Sequence, residues 1–268
     1  MNTEEAVFQL HRGHRPLLVS VPHVGTAIPP QIAAKLVPRA LDTEDADWHL
    51  QRLYAFAVEL GASLIVPRFA RYVVDLNRPS ENTPMYPGAN NTDLCPTRFF
   101  TGEPLYRDGQ APEDAEVQRR VARYWRPYHE AIAAELQRHH DEHGHVALFD
   151  GHSIQPELPW LFEGRLPDLN LGTAEGKSCS PALRDAMARV LQAHTAHSHV
   201  IDGRFKGGHI TRFYGRPAEG FHAVQMEMGW QCYMDPAKPP SAAYDEARAA
   251  TVLPVLKGLA QALLDTAP

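Results

Sequence analysis

Cysteine is scarce in this 268-residue chain. Only three are present, Cys95, Cys179 and Cys232, and they form no Cys-x-x-Cys pair. An odd number of widely spaced cysteines argues against a disulfide framework, a thiolate metal site and a redox motif. The cysteine content therefore favours a protein of the reducing cytoplasm.

Long apolar runs are also absent. Nowhere do about 18 apolar residues follow one another, which is the length that a membrane-spanning helix needs. Residues 1–16 contain two glutamates and lack the apolar stretch of a signal peptide. We therefore predict a cytoplasmic protein with no membrane partner.

Positive charge is not in excess. The chain has 26 Lys and Arg against 32 Asp and Glu, which gives a formal net charge of -6. Nucleic-acid binding depends on clustered Lys and Arg, so a nucleic-acid partner is not expected. An acidic substrate would need a local basic pocket.

What the sequence does contain is an alternation of strand-like and helix-like segments. Strands are predicted at residues 17–21, 63–66, 72–76, 146–149, 199–201 and 222–228. Helices are predicted from Asp42 or Thr43 to about residue 60, and at about residues 114–143, 181–194 and 244–264. This alternation is typical of an α/β layered fold, and no repeat or linker divides the chain. We expect residues 1–268 to form a single domain.

Local signals refine this pattern. Asp47 falls near the start of the first helix, where a carboxylate favours the helix dipole. Pro127 should kink or split the helix at residues 114–143, and Gly144 should end it. The segment from Pro79 to Pro112 is rich in Pro, Gly, Asn and Thr, which indicates a long ordered loop that could wall a pocket.

Two histidines follow predicted strands. His23 lies in a Pro-His-x-Gly turn after the first strand, and Asp150 and His152 lie at the end of the strand that begins at Val146. Open α/β sheets bind ligands at the carboxyl ends of their strands. Each histidine alone is equally consistent with an imidazole that hydrogen-bonds the backbone, so neither identifies a site by itself.

Asp47 supplies a third candidate, with Asp45 and His49 as neighbouring competitors. Two imidazoles and one carboxylate form a zinc ligand set that leaves a position open for catalysis. The set His23, Asp47 and His152 is therefore the predicted metal site. The histidine-rich stretch at residues 139–145 also suggests a metal, but it lies at a polar helix end and is interpreted as a solvated surface.

Basic residues mark an anion pocket. Asn77 and Arg78 end the predicted strand at 72–76, and an arginine fork can hold a carboxylate with two hydrogen bonds. Residues 203–218 contain no acidic residue and four cations, namely Arg204, Lys206, Arg212 and Arg216. The alternatives are a surface salt bridge for Arg78 and a tight turn at the Gly-Gly step.

Glu227 is a carboxylate inside the otherwise apolar strand at 222–228. Burial there would be costly without a partner, and a glutamate next to a metal site is a candidate general base. A salt bridge from Glu227 to one of the arginines is the other interpretation.

Together these segments resemble the N-formylglutamate deformylase family, also called N-formylglutamate amidohydrolases. Seven motifs match in order along nearly the whole chain. They are VPHVG at 21–25, DADWH at 45–49, RYVVDLNRP at 71–79, DGHSI at 150–154, LPDLNLGT at 166–173, GRFKGGHITRFYG at 203–215 and QMEM at 225–228.

The resemblance implies metal-dependent hydrolysis of N-formyl-L-glutamate to formate and L-glutamate in histidine degradation. It also implies a mixed, mostly parallel sheet flanked by helices, similar to that of zinc carboxypeptidases. The implied cofactor is Zn²⁺, although the same N and O ligands accept Co²⁺ or Mn²⁺. Neither the metal in the cell nor the oligomeric state is set by the sequence.

The implied roles follow the matched motifs. His23, Asp47 and His152 are predicted to bind the metal, Glu227 to act as general base and Arg71 to stabilise the oxyanion. The predicted substrate-binding residues are Asn77, Arg78, Arg212 and His209. Phe213 stands where relatives often have a histidine, so an imidazole role there is absent or filled by His209.

Two other functions remain open at this stage. One is a metal amidohydrolase or carboxypeptidase-like enzyme that acts on another N-acyl amino acid. The other is a non-catalytic binder of acidic metabolites, which would have little use for a buried glutamate facing a metal.

Overall fold

The computed structural model describes residues 6–83 and 92–266, which pack about a seven-stranded sheet. The strand order is β1-β3-β2-β4-β7-β5-β6. Four of the six neighbouring pairs are parallel, and the pairs β1·β3 and β5·β7 are antiparallel. The predicted mixed, mostly parallel sheet is therefore confirmed. The strands are β1 (Phe8–His11), β2 (Leu17–Ser20), β3 (Ser63–Pro67), β4 (Val146–Ile154), β5 (Leu169–Gly172), β6 (His199–Ile201) and β7 (Phe221–Gly229).

Helices cover both faces of this sheet. They are α1 (Pro30–Ala33), α2 (Leu50–Leu53), α3 (Phe56–Glu59), α4 (Asp114–Arg120), α5 (Arg126–His143), α6 (Pro181–Ala193), α7 (His209–Tyr214) and α8 (Glu246–Asp265). Along β2, Leu17 and Val19 join one apolar core with α8, while Leu18 joins a second core with α5. Because both faces of the central strands are covered, these strands are continuous apolar runs.

The helical region predicted at residues 114–143 is divided into two helices, as Pro127 indicated, and it ends at Gly144. A π-helical segment, Val121–Trp125, separates α4 from α5, and Pro127 occupies the first turn of α5. Proline fits there because the first-turn N–H groups have no partner within the helix. Gly144 ends α5 with φ of 77°, a left-handed conformation that glycine adopts without strain.

Two local predictions were wrong. Residues 72–76 form turns rather than a strand, because their backbone groups bond across loops, as in Asp75 N to Leu94 O at 2.7 Å. The helix predicted from residue 42 or 43 to about 60 is two short helices, α2 and α3, and Asp47 precedes both. Asp47 is instead fixed by a hydrogen bond from its N–H to His23 O at 2.9 Å.

Part of the histidine-rich stretch at residues 139–145 is buried rather than solvated. His139 is fully buried, with its Nε2 3.0 Å from Ser63 Oγ. The interpretation as a solvated surface is wrong for this residue, because one side of α5 packs against β3. Four of the elements named above, β1, β5, α1 and α7, were not predicted at all.

The helix α8 is long enough and apolar enough to cross a membrane by length and composition. Its apolar side packs into the core, where Val252, Val255, Leu256 and Leu259 are fully buried. A core helix of this kind passes the same test, so the finding is weak evidence for a membrane span.

Candidate active site and metal centre

The candidate site lies at the carboxyl ends of the three central parallel strands, β2, β4 and β7. His23 follows β2, His152 lies near the end of β4, and Glu227 is paired with His152 across the β4·β7 ladder. Strand pairing therefore brings these residues together from distant parts of the chain. This is the sheet edge at which open α/β folds bind ligands.

Three ligand atoms converge there. His152 Nδ1 lies 3.2 Å from both His23 Nδ1 and Asp47 Oδ2, and His23 Nδ1 lies 3.6 Å from Asp47 Oδ2. Tetrahedral zinc with bonds of ~2.0 to 2.1 Å separates its ligands by roughly 3.3 to 3.4 Å. The donor triangle therefore has the chemistry and the dimensions of a divalent metal site.

Each histidine is oriented by a carboxylate behind it. His23 Nε2 donates to Asp75 Oδ1 at 2.7 Å, and His152 Nε2 donates to Asp150 Oδ2 at 2.8 Å. With the proton on Nε2, the Nδ1 lone pair of each ring faces the centre. Carboxylates in this position are the usual outer partners of metal-binding histidines.

Electrostatics in the triangle also suit a cation. Burial alone would raise the pKa of Asp47, but its contacts with His152 and His23 hold it below the usual range. Burial alone would lower the pKa of His152, but Asp150 and Asp47 raise it well above its ordinary value. The site thus holds positive charge strongly, and a cation between the ligand atoms would take the place of the extra proton on His152.

Glu227 faces the same cavity from β7. Burial raises its pKa to about 8, with His152 opposing this shift and Asp47 adding to it. Gln225 Nε2 donates to Glu227 Oε2 at 3.3 Å. A divalent cation nearby would favour the ionised form of Glu227, which is the form that accepts a proton.

Arg71 completes the buried charge network. Its NH2 donates to Asp75 Oδ2 at 2.6 Å, its NH1 lies 3.9 Å from Asp47 Oδ1, and its guanidinium stacks over the Phe100 ring. Since Arg71 lines the cavity, it is placed to donate to an oxyanion formed there.

Asn77 and Arg78 also line the cavity. Asn77 Oδ1 accepts from Ile210 N at 2.8 Å, and Asn77 Nδ2 lies 3.0 Å from His152 Nε2, so this side chain joins α7 to the centre. Arg78 donates from Nε and NH2 to the carbonyl and hydroxyl oxygens of Thr92. Both residues were predicted to contact substrate, and both line this cavity.

The cavity is a partly open cleft with a volume of about 80 Å³. Beyond the centre, its wall is largely aromatic and aliphatic with one further arginine. These lining residues are Phe100, Ile154, Leu161, Phe162, Arg204 and Phe205. Phe100 and Thr92 belong to the segment from Pro79 to Pro112, so that segment does wall the pocket. Residues 84–91 of it lie outside the described part of the chain.

Two predicted substrate residues are not among the cavity-lining residues of the described chain. Arg212 is exposed on α7 and donates from Nε to Gly207 O at 2.8 Å. His209 is packed between Trp125 and the exposed Phe213, and burial lowers its pKa. His209 nevertheless interacts electrostatically with Asp150 and Asp75, the carboxylates behind the two histidines.

The competitors for the ligand role lie elsewhere. Asp45 Oδ2 accepts from Phe100 N at 3.0 Å, and His49 Nε2 donates to Pro240 O at 2.9 Å. Neither Asp75 nor Asp150 was predicted as the partner of a histidine. Asp150 could have been found from the strand period, because residues two apart on a strand share a face.

The arrangement as a whole is that of an α/β hydrolytic enzyme with a candidate metal centre. The model of the family described as N-formylglutamate amidohydrolase matches residues 15–234. The chain is 48% identical to the N-formylglutamate deformylase of Pseudomonas aeruginosa, covering 97% of both chains. It is 45% identical to the N-formylglutamate deformylase of Pseudomonas putida, covering 97% of this chain and 96% of the other.

Two solved structures share the fold. The N-formylglutamate amidohydrolase of Ralstonia eutropha superposes with a TM-score of 0.80 at 26% identity, covering 96% of this chain and 97% of that one. A gene product of Agrobacterium tumefaciens superposes with a TM-score of 0.71 at 18% identity, covering 98% and 97%. The chain belongs to the N-formylglutamate amidohydrolase family, which confirms the resemblance, and it is a hydrolytic enzyme rather than a non-catalytic binder.

Proposed function

We propose that this enzyme hydrolyses N-formyl-L-glutamate to formate and L-glutamate with a divalent metal, Zn²⁺ being the first candidate. The observation that carries the proposal is the convergence of His23 Nδ1, His152 Nδ1 and Asp47 Oδ2 beside Glu227. The substrate is the one named for the curated relatives at 45% and 48% identity.

The reaction requires water to add to the formyl carbon and the C–N bond to break. A metal held by His23, Asp47 and His152 would act as a Lewis acid and make water a better nucleophile at neutral pH. Glu227 accepts the proton from the attacking water and returns it to the leaving amine nitrogen. Arg71 donates hydrogen bonds to the developing oxyanion, a type of contact whose loss typically costs about 10² to 10³ in rate.

The substrate's carboxylates require cations in the wall of the cavity. Arg78 lines that cavity, and its guanidinium donates two hydrogen bonds to Thr92. An arginine held in this way can bind a carboxylate through two parallel hydrogen bonds. The sequence-based assignment of Arg212 to this task receives no support from its exposed position.

A formate-release assay tests the proposal. The parent enzyme should release formate from N-formyl-L-glutamate, lose activity after treatment with a chelator, and regain it with Zn²⁺, Co²⁺ or Mn²⁺. N-formyl-L-glutamine and N-acetyl-L-glutamate serve as comparison substrates. A preference for another N-acyl amino acid would replace the substrate assignment, and full activity in the chelator would remove the metal.

We also propose that the protein acts in the cytoplasm on a small-molecule substrate, without a nucleic-acid or membrane partner. The three cysteines are free and buried, which suits a reducing compartment. Fractionation of the native host and detection with an antibody would test the location.

A further inference from the structure

We infer that Arg78 and Arg204 divide the recognition of a dicarboxylate substrate, with Arg204 holding the side-chain carboxylate and thereby selecting glutamate over neutral N-formyl amino acids. The inference rests on the proposed function and deepens it. It assigns substrate selection to a residue different from Arg212.

The three arginines that line the cavity have different surroundings. Arg71 forms a 2.6 Å ion pair with Asp75 and lies 3.9 Å from Asp47, so it interacts with the carboxylates of the candidate metal centre. Its charge is therefore balanced beside the reacting centre. Arg78 and Arg204 are the remaining cations among the described residues of the cavity wall.

Arg78 belongs to the reacting end of the cavity. It follows Asn77, whose Nδ2 lies 3.0 Å from His152 Nε2, and Thr92 fixes its guanidinium through two hydrogen bonds. In an N-formyl amino acid, only the α-carbon separates the α-carboxylate from the scissile nitrogen. The α-carboxylate must therefore bind close to the centre, where Arg78 is placed.

Arg204 reaches the cavity from the other side. It follows β6, whereas Arg78 follows β3, and these strands flank the central strands on opposite sides of the sheet. Arg204 NH2 donates to Leu161 O at 3.0 Å, which fixes the guanidinium against a wall of aromatic and aliphatic side chains. That wall comprises Phe100, Ile154, Leu161, Phe162 and Phe205.

This second wall matches the side chain of glutamate. Its two methylene groups need apolar contacts, and its carboxylate lies three carbon atoms from the scissile nitrogen, farther along the molecule than the α-carboxylate. An arginine at the end of an apolar wall supplies both contacts. Arg212 offers neither, because it is exposed on α7 and bonded to Gly207 O.

The test compares Gln variants on two substrates that differ only in side-chain charge, N-formyl-L-glutamate and N-formyl-L-glutamine, with Zn²⁺ present. Arg204→Gln should lower kcat/KM for N-formylglutamate by about 10 to 100-fold and change it for N-formylglutamine by less than about 3-fold. Arg78→Gln should lower both by about 10 to 100-fold, because both substrates carry the α-carboxylate.

Arg216→Gln is the matched control from the same basic segment, since Arg216 pairs with Glu219 on the surface. It should leave both substrates unchanged. Arg212→Gln tests the rival residue. Equal losses on both substrates in Arg204→Gln, or a selective loss in Arg212→Gln, would overturn the inference.

Misfolding of a variant and inactivity of the parent enzyme can both be distinguished from a failure of the inference. If Arg204→Gln does not fold by circular dichroism, Arg204→Lys replaces it and should show a smaller loss that is still confined to N-formylglutamate, because lysine keeps the charge but not the planar fork. If the parent enzyme itself releases no formate from either substrate, the proposed function is wrong. The assignment of the two carboxylates to Arg78 and Arg204 is then wrong as well.

Discussion

Glu227 is a carboxylate in an apolar strand, and its burial and its closeness to Asp47 both oppose ionisation. Buried carboxylates with strongly shifted pKa values cluster at functional sites. The role proposed for Glu227 is proton transfer during attack on the formyl carbon.

Changing Glu227 to Gln should therefore separate proton transfer from metal binding. Gln keeps the shape and the hydrogen-bonding end but accepts no proton, so kcat should fall by about 10² to 10⁴-fold. Metal content, measured by atomic absorption, should remain that of the parent because the three ligand residues are intact.

His152→Ala provides the opposite pattern, since it removes a ligand atom and should lose metal and activity together. Loss of metal in the Glu227 variant would instead make Glu227 a ligand. Near-normal turnover would mean that another group accepts the proton.

At the scale of elements, His129 joins three segments of the fold. Lying on α5, it donates from Nε2 to Leu76 O at 2.9 Å, its Nδ1 lies 3.0 Å from the Tyr214 hydroxyl of α7, and its ring stacks on Trp125. It thereby fixes the turn segment that carries Asp75, Asn77 and Arg78. Burial lowers its pKa to about 3, so the folded protein keeps it neutral.

This histidine should make stability depend on pH in a defined direction. The unfolded chain binds a proton at His129 below about pH 6.5, whereas the folded protein does not until about pH 3. The unfolded state therefore binds more protons in this window, and stability falls as pH decreases from 6.5 toward 3, by up to about 1.4 kcal/mol per pH unit from this residue.

Urea unfolding of the parent and of His129→Gln at several pH values would measure this contribution. Since the variant has no imidazole to protonate, its loss of stability between pH 6.5 and 4 should be shallower by about that slope. His11→Gln, at an exposed histidine of β1, is the control and should follow the parent. Identical slopes for parent and His129→Gln would show that His129 does not contribute.

At the scale of the whole molecule, the ligand triangle joins three distant stretches of chain. His23, Asp47 and His152 come together only when β2 and β4 pair and the segment before α2 packs on them. A metal that binds this arrangement binds the folded state and not the unfolded one, so binding should stabilise the entire fold.

Addition of Zn²⁺ to chelator-treated protein should therefore raise the midpoint of thermal unfolding. At a free metal concentration 100 times its Kd, the gain is about 2.7 kcal/mol, or roughly 5 to 10 °C for a protein of this size. Differential scanning calorimetry measures it. Ca²⁺, which prefers sets of oxygen ligands, should produce no comparable rise.

Asp47→Asn identifies the site responsible for that rise. Replacement of the carboxylate by an amide removes a charged ligand, so the shift with Zn²⁺ should shrink or disappear. An unchanged shift in this variant would place the metal at another site.

The residues of the candidate metal centre were predictable from local patterns in the chain. His23, His152 and Glu227 each lie at the end of an apolar strand, and strand ends are set by local patterns of burial and turn residues that a sequence displays. Parallel pairing brings such ends to one edge, which made the His–Asp–His set predictable, whereas the mixed sheet was implied by the family resemblance.

The residues that surround this centre could not be predicted in the same way, because long-range packing places them. Arg204 and Arg212 lie eight positions apart in one acid-free segment, yet one lines the cavity and the other faces outward. The turns at 71–78 and the carboxylates behind the histidines depend on contacts such as His23 with Asp75, which are 52 residues apart. Contacts across such distances arise from packing of the whole chain, and no local spacing encodes them.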